Sequence, residues 1–363
     1  MAKDKQRDNS LDFLRGWAAI NIIFIHTCFW TGEAYVPVYI RSLSLLVDVP
    51  FFFFLSGWSF SYVNSFWQSI RGLLDIYKKY LIFLLYYIAL LYIVGRHTGN
   101  FSGFNLQNFY SNLFFLPKGQ SALPVVMGSI WFMPVYFAVV PVGSYVLSRL
   151  WHSAAGDKKL YQKQCLACLV IVAMGLLYTF LGYKFFYFSL TVLFYLFFYL
   201  LGMVCSKIRI NAFAWAALLI MLDLAVIKTL GGYLELDIGV MQNMKFPPNI
   251  IYLLYSLLFI FFTLWLKTKL TNVSANNVLC RVGRLALLFY FCQGISSSLL
   301  YFGILELELG WWVRLPLAFG YNFAMCLVLV MILHKIYTLE EFLEKQLKKF
   351  FIRNSVEEEE LAK

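Results

Sequence analysis

An arginine and a histidine stand eleven positions apart in the first apolar stretch of the chain, LDFLRGWAAINIIFIHT, as Arg15 and His26. Eleven residues of α-helix make about three full turns plus roughly 20° and rise about 16 Å, so both side chains fall on one face. A guanidinium holds anions through a planar fork of donors. An imidazole gains and loses a proton near neutrality. A groove running between them suits an anionic substrate held at one end and a proton moved at the other. Each residue also has a plainer reading. Arg15 can be a boundary anchor paired with Asp12 three residues before it, and His26 an interhelical hydrogen-bonding group.

The elements that carry this pair follow from composition. Of 363 residues, 61% are hydrophobic, 20% aromatic and only 13% charged, with a mean hydropathy of +0.71. A soluble domain has roughly half apolar and about a quarter charged residues. That excess of apolar side chains excludes a soluble enzyme, a disordered chain and a disulfide scaffold. Only helices and closed barrels satisfy their backbone in lipid, and the long apolar runs lack the alternation of barrel strands. The fold class expected is an all-α integral membrane protein. Inside such a protein an ionisable residue is costly, which makes Arg15 and His26 functional candidates.

A span needs roughly 20 apolar residues. About ten such runs lie near 11–31, 42–65, 79–95, 128–148, 164–183, 185–205, 212–232, 248–267, 284–304 and 312–336. With both termini cytoplasmic, about 22 Lys and Arg fall on the inner side and about seven on the outer, as the positive-inside rule requires. The net charge of +11 therefore reflects membrane topology and not nucleic-acid binding. The expected organisation is a ten-helix transmembrane domain over residues 1–337 and a cytoplasmic amphipathic tail over 338–363. Residues 96–127 form a long outer loop, the kind that is commonly functional. A multi-pass protein of the plasma membrane is expected.

Other polar groups in or near the spans are weaker candidates. Asp48 lies near the outer surface at the start of Val47-Asp48-Val49-Pro50, and Ser56-Gly57 permits close helix approach. Trp131-Phe132 reads as an interfacial anchor. Asp223 is the one acid inside the seventh span, and Gln293 and Asn322 suit interhelical hydrogen bonds. Cys165-Leu-Ala-Cys168 has metal-like spacing but no second pair, so no metal is expected.

Asp12-Phe13-Leu14-Arg15-Gly16 followed by His26 resembles the Arg-x10-His signature of the membrane-bound acyltransferase-3 family. Val47-Asp48 to Ser56-Gly57 is similar to its GVDLFFFLSG block, and Trp131-Phe132-Met133 to its WFL block. Tyr77-Lys78-Lys79-Tyr80 falls where the family has a basic cluster. Gly283 to Gln293 falls where it has a late G…S…IYLxH block, with Gln293 in place of a frequent histidine. The ten-span plan extends the resemblance over nearly the whole chain.

The resemblance implies transfer of an acyl group, acetyl by default, from cytoplasmic acyl-CoA to a hydroxyl of an envelope glycan or lipid-linked glycan. The partners implied are acetyl-CoA as donor, the glycan acceptor and the lipid bilayer. On this reading Arg15 clamps a phosphate, Arg71, Lys78 and Lys79 add attraction on the same side, and His26 removes the acceptor proton. Asp48 orients His26, Ser56 helps to stabilise the oxyanion, and Trp131 lines the substrate path. The outer loop admits the acceptor. The alternative is a secondary transporter of an anionic metabolite, which should show an inverted repeat with broken helices in matching halves. The sequence shows neither.

Overall fold

Hydropathy and helix punctuation together give the helices of the chain, seen in a computed structural model that describes residues 8–30, 35–63, 65–116, 121–180, 187–208, 210, 213–235, 237, 239–300 and 309–361. The described residues are helical, with no strand. The order is α1 (Asn9–Trp30), α2 (Val38–Ser44), α3 (Val49–Val63), α4 (Phe66–Thr98), α5 (Leu106–Leu113), α6 (Pro124–Ser129), α7 (Phe132–Ser153) and α8 (Lys158–Phe180). It continues with α9 (Tyr187–Cys205), α10 (Phe213–Tyr233), α11 (Ile250–Lys269), α12 (Val278–Arg284), α13 (Ala286–Leu299) and α14 (Trp311–Leu361). Among the described residues, nine helices are long and apolar enough to cross a bilayer, or ten if the bent pair α12–α13 is one span.

Helix α1 lies between two cores rich in aromatic rings. Leu11, Leu14, Ala18, Ile22 and Ile25 pack into one, built mainly on α3, α7, α9 and α11. Ala19 and Ile23 pack into the other, built on α4, α13 and α14. Helical periodicity then leaves Arg15, Ile22 and His26 on the strip between the two. Two glycine contacts hold this frame close. A Cβ on Gly283 would stand 1.8 Å from the Asp12 carbonyl oxygen, so α12 touches α1 backbone to backbone. A Cβ on Gly57 would stand 1.7 Å from the Tyr199 carbonyl oxygen, which sets α3 directly against α9.

Several expectations change in detail. The second span is not one helix. It breaks between α2 and α3 through a 3-10 turn (Leu45–Val47), where Asp48 takes an extended conformation before Pro50 enters the next helix. The carbonyls freed at the break, those of Ser44 and Val47, accept hydrogen bonds from Asn21 Nδ2 at 2.8 and 2.9 Å. The ninth span bends by 85° between Arg284 and Ala286. The tail runs on from the last span as the same helix, α14, with no break after Tyr337.

The third span, expected as the short run 79–95, is a 33-residue helix, α4. The described part of the segment after it, expected as a long outer loop, lies against α4. Phe101 and Phe104 pack on Tyr92, while Phe115 packs on Tyr77 and Tyr80. Tyr77 and Tyr80 donate hydrogen bonds to the Leu113 and Asn112 carbonyls. Tyr77 to Tyr92 spans about 22 Å of helix. The segment from Phe101 to Phe115 therefore runs back along α4, with Phe115 packed on the helix and Phe101, Phe104, Tyr110 and Phe114 left partly exposed.

Candidate functional site

Arg15 lies in the second turn of α1, and its guanidinium is held on the protein. Nη2 donates to Ser59 Oγ at 2.6 Å, and Nη1 lies 3.4 Å from Asp12 Oδ1. Asp12 is almost wholly buried and also faces Arg284, whose Nε is 3.8 Å from Oδ2. The pairing with Asp12 seen in the sequence is thus present, and it couples Arg15 to a second arginine from α12. Arg15 and Arg284 line a cavity of about 280 Å³ with Ile22, Ser56, Phe132 and Tyr136. Its walls are otherwise apolar. Ser56 Oγ and Tyr136 OH are 3.4 Å apart.

His26 lines a second cavity, of about 440 Å³, with Arg41, Ser42, Trp131, Gln242, Asn243 and Lys245. Its Nδ1 is buried and has no hydrogen-bond partner among the described residues. At this nitrogen the plainer reading, a hydrogen-bonded interhelical group, finds no support. The cavity is closed by a loop between α10 and α11 that is tied to the broken second span. Ser42 Oγ donates to the Gly239 carbonyl at 2.5 Å and accepts from the Met241 amide, and Tyr255 OH donates to the Ser42 carbonyl.

Arg15 and His26 do share the strip of α1 that the spacing predicts, but they do not share one groove. No residue lines both cavities. The cavities lie end to end: Ile22 lines the first and Ile25 and His26 the second, and Phe132 lines the first where Trp131 lines the second. Ile22 and His26 are about 6 Å apart along the helix. A layer at Ile22 and Phe132 separates the cavities. Phe132 is wedged there by the rings of Phe53, Tyr136 and Tyr290 at 5.2, 5.4 and 5.3 Å.

Asp48 sits at the break before α3, but its direct partner is not His26. Its Oδ2 lies 2.6 Å from Lys245 Nζ and accepts from Tyr252 OH at 2.7 Å. Both charged side chains are nearly fully buried. Asp48 is instead joined to Lys245, which lines the same cavity as His26. Lys245 Nζ also lies 5.5 Å from the centre of the Trp131 ring.

Other residues expected at the site lie elsewhere. Ser56 belongs to the Arg15 cavity and not to the surroundings of His26. Lys78 is ion-paired with Glu340 at 2.7 Å and Glu344 at 2.5 Å on α14, and Lys79 with Asp75 at 2.9 Å. Neither lines the Arg15 cavity, which α4 reaches through Ile76. Arg71 is exposed and also lies outside it. The Lys pair turns towards acids on α4 and α14 because those lie one helical turn away or on the adjoining helix face.

Arg284, Arg41 and Lys245 take the places beside Arg15 and His26, and sequence reasoning missed them. Lys245 carried a signal: a lone cation just before Pro247-Pro248, on the side poor in basic residues. Arg284 did not stand out from the other basic residues expected on its side.

The sequence model of the acyltransferase-3 family, described as an acyltransferase domain, matches residues 8–331. No curated protein and no solved structure matches the chain.

Proposed function

The chain belongs to the acyltransferase-3 family and is by that membership a membrane acyltransferase, and we propose that it moves an acetyl group from acetyl-CoA, bound at the Arg15 cavity, to a hydroxyl of an envelope glycan held at the His26 cavity. Family membership supports acyl transfer over anion transport. The observation that carries it is the position of His26: an imidazole with an unpartnered buried nitrogen, facing a polar cavity that abuts the one holding Arg15.

The donor side is supported by charge. Coenzyme A is polyanionic, and Arg15 and Arg284 place two guanidinium groups around a single buried carboxylate, Asp12. Both guanidinium groups line the cavity, where charge-assisted hydrogen bonds to phosphate are strong. The bias of Lys and Arg over the loops supports placing this end in the cytoplasm.

The acceptor side is supported by the lining of the second cavity. Trp131 offers a flat ring, and Ser42, Gln242, Asn243, Arg41 and Lys245 offer polar and cationic groups, a mixture that suits a hydroxyl-rich molecule. His26 takes the hydroxyl proton as its oxygen attacks the thioester carbonyl. The carbon–sulfur bond then breaks, and the proton passes to the departing CoA thiolate. Asp48, itself held by Tyr252, fixes Lys245 in the cavity that His26 lines, so a cation stands near the charge that develops on the carbonyl oxygen.

On this reading the thioester passes between the two cavities beside Ile22 and Phe132 to reach His26.

The test uses purified full-length protein in lipid discs with acetyl-CoA labelled on the acetyl group and a glycan acceptor fraction. Labelled glycan and free CoA are expected in equal amounts, and His26→Ala is expected to abolish both while the protein stays folded. Undiminished transfer by that variant, or no consumption of acetyl-CoA by the wild-type protein, would refute the reading.

A further inference from the structure

The largest of the described cavities, about 970 Å³, plays no part in the route above. It opens where the ends of α3, α7, α8 and α9 meet, and shares no lining residue with the Arg15 cavity. Tyr62, one of its lining residues, donates to Asp8 Oδ2 at 2.6 Å, so the cavity lies at the same end of the bundle as the start of α1. Lys158, Lys159, Lys163 and Lys207 line it, with no carboxylate among the described lining residues. No ion pair engages any of the four among the described residues. Lys158 and Lys159 stand in the first turn of α8, where the positive end of the helix adds to their charge. The carboxylate of Asp157 is turned back to cap that helix, accepting from the Lys159 and Leu160 amides.

The positive-inside rule accounts for lysines at this end of the bundle. It does not account for their convergence on a concavity, nor for Tyr161. That side chain is 3% exposed and lines the cavity, packed edge-on against Trp151 at 5.0 Å. Its hydroxyl has no oxygen or nitrogen hydrogen-bond partner among the described residues and is met by the Cys165 thiol. A thiol is a weak hydrogen-bond partner, which leaves the Tyr161 hydroxyl under-satisfied in the wall of the cavity.

The rest of the lining shows what kind of ligand. Leu166, Met203, Val204 and Ile208 are apolar. Leu166 also begins an exposed ridge on α8, continued at helical spacing by Val170, Met174 and Leu177, which are 49 to 64% exposed. The ridge leads from the cavity mouth down the face of a helix that is mostly turned to lipid. A soluble anion needs only the lysines, whereas a phospholipid uses the lysines, the concavity and the ridge together. We propose that this cavity binds the phosphate headgroup of an anionic phospholipid, with its acyl chains along the Leu166–Leu177 ridge of α8. Basic pockets between membrane helices hold such headgroups by the same electrostatics.

The experiment measures ligand retention on the purified full-length protein by native mass spectrometry, with phosphatidylglycerol, phosphatidylcholine, inorganic phosphate and free CoA in separate arms. Phosphatidylglycerol is expected to bind about tenfold or more tightly than phosphatidylcholine. The variant with Lys159→Gln, Lys163→Gln and Lys207→Gln is expected to lose that preference, and the same three positions changed to Arg to keep it. Tyr161→Phe, which removes only the hydroxyl, is expected to weaken retention several-fold. Equal retention of phosphatidylglycerol by the wild-type and glutamine proteins overturns the proposal. So does binding of inorganic phosphate or CoA at these lysines with no preference for the anionic lipid.

Discussion

Lys245 Nζ lies 2.6 Å from Asp48 Oδ2, with both side chains shut away from solvent. Removing one partner of such a pair leaves a buried charge uncompensated, at a cost of about 3–5 kcal/mol, while replacing both by apolar groups is often neutral. Asp48→Ala and Lys245→Met are each expected to lower stability by about that much, and the double variant to recover most of it. Acyl transfer is expected to stay low in the double variant, since the cation beside His26 is gone. Thermal unfolding in detergent reads the first effect and labelled acetate transfer the second. Recovery of both together would make the pair structural only.

Arg15 and Lys78 separate two ideas about where acyl-CoA is held. Arg15 faces the cavity beside Arg284, whereas Lys78 is engaged by Glu340 and Glu344. A hydrogen bond to a charged group contributes about 1.5–3 kcal/mol, so Arg15→Ala is expected to raise KM for acetyl-CoA about tenfold or more. Lys78→Ala is expected to leave KM within about twofold, because an exposed ion pair contributes little. Initial rates against acetyl-CoA concentration decide. A larger rise for the Lys78 variant would move the donor to the surface between α4 and α14.

The apolar spans were legible because lipid permits few solutions: a backbone that meets no water must be helical, and hydropathy alone finds it. The shared strip of Arg15 and His26 was legible for the same reason, since a straight helix turns spacing into direction. The division of that strip into two cavities was not, because it depends on where Phe132 sits, and Phe132 is placed by rings from α3, α7 and α13. The partner of Asp48 was hidden likewise, Lys245 being brought to it by tertiary contact alone. Local signals were overlooked at two places. Pro50 two residues after Asp48 marks a helix start, and the polar run around Arg71, Asp75 and Lys78 masked the first turns of α4, which hydropathy reads as loop.

Gly57 tests whether the crossing of α3 and α9 sets the site. A Cβ there would stand 1.7 Å from a backbone oxygen, and backbone cannot move aside as a flexible side chain would. Gly57→Ala is expected to force the helices apart and cost about 1–3 kcal/mol or more, as overpacking does. It should also reduce transfer, because Ser56 and Ser59 ride on the same helix beside Arg15. Gly72→Ala, where nothing lies within 4 Å of the added carbon, is the matched control and should be neutral or slightly stabilising in its helix. Unfolding temperature and acetate transfer, measured on both variants, check the pair.

Asp8 gives the entry to α1 a pH dependence of defined sign. Its Oδ1 accepts from the Ser10 amide at 2.9 Å, the Ser10 hydroxyl at 2.5 Å and the Leu11 amide at 3.3 Å, and its Oδ2 accepts from Tyr62 at 2.6 Å. Burial acts to raise the carboxyl, but these hydrogen bonds to the ionised form together hold it below its ordinary value of 3.8. A depressed carboxylate contributes stability that is fully present above the ordinary value and is lost as pH falls through the folded one. Asp8→Ala is expected to cost about 1 kcal/mol at neutral pH, the usual loss of a helix cap, with a smaller loss for Asp8→Asn. Below the ordinary carboxylate range the difference between the wild-type protein and Asp8→Asn should shrink towards zero. Unfolding temperatures of the two proteins, taken in detergent from neutral to acid pH, measure this, and a gap that stays constant through the acid range would show that the charge on Asp8 does not hold the helix start.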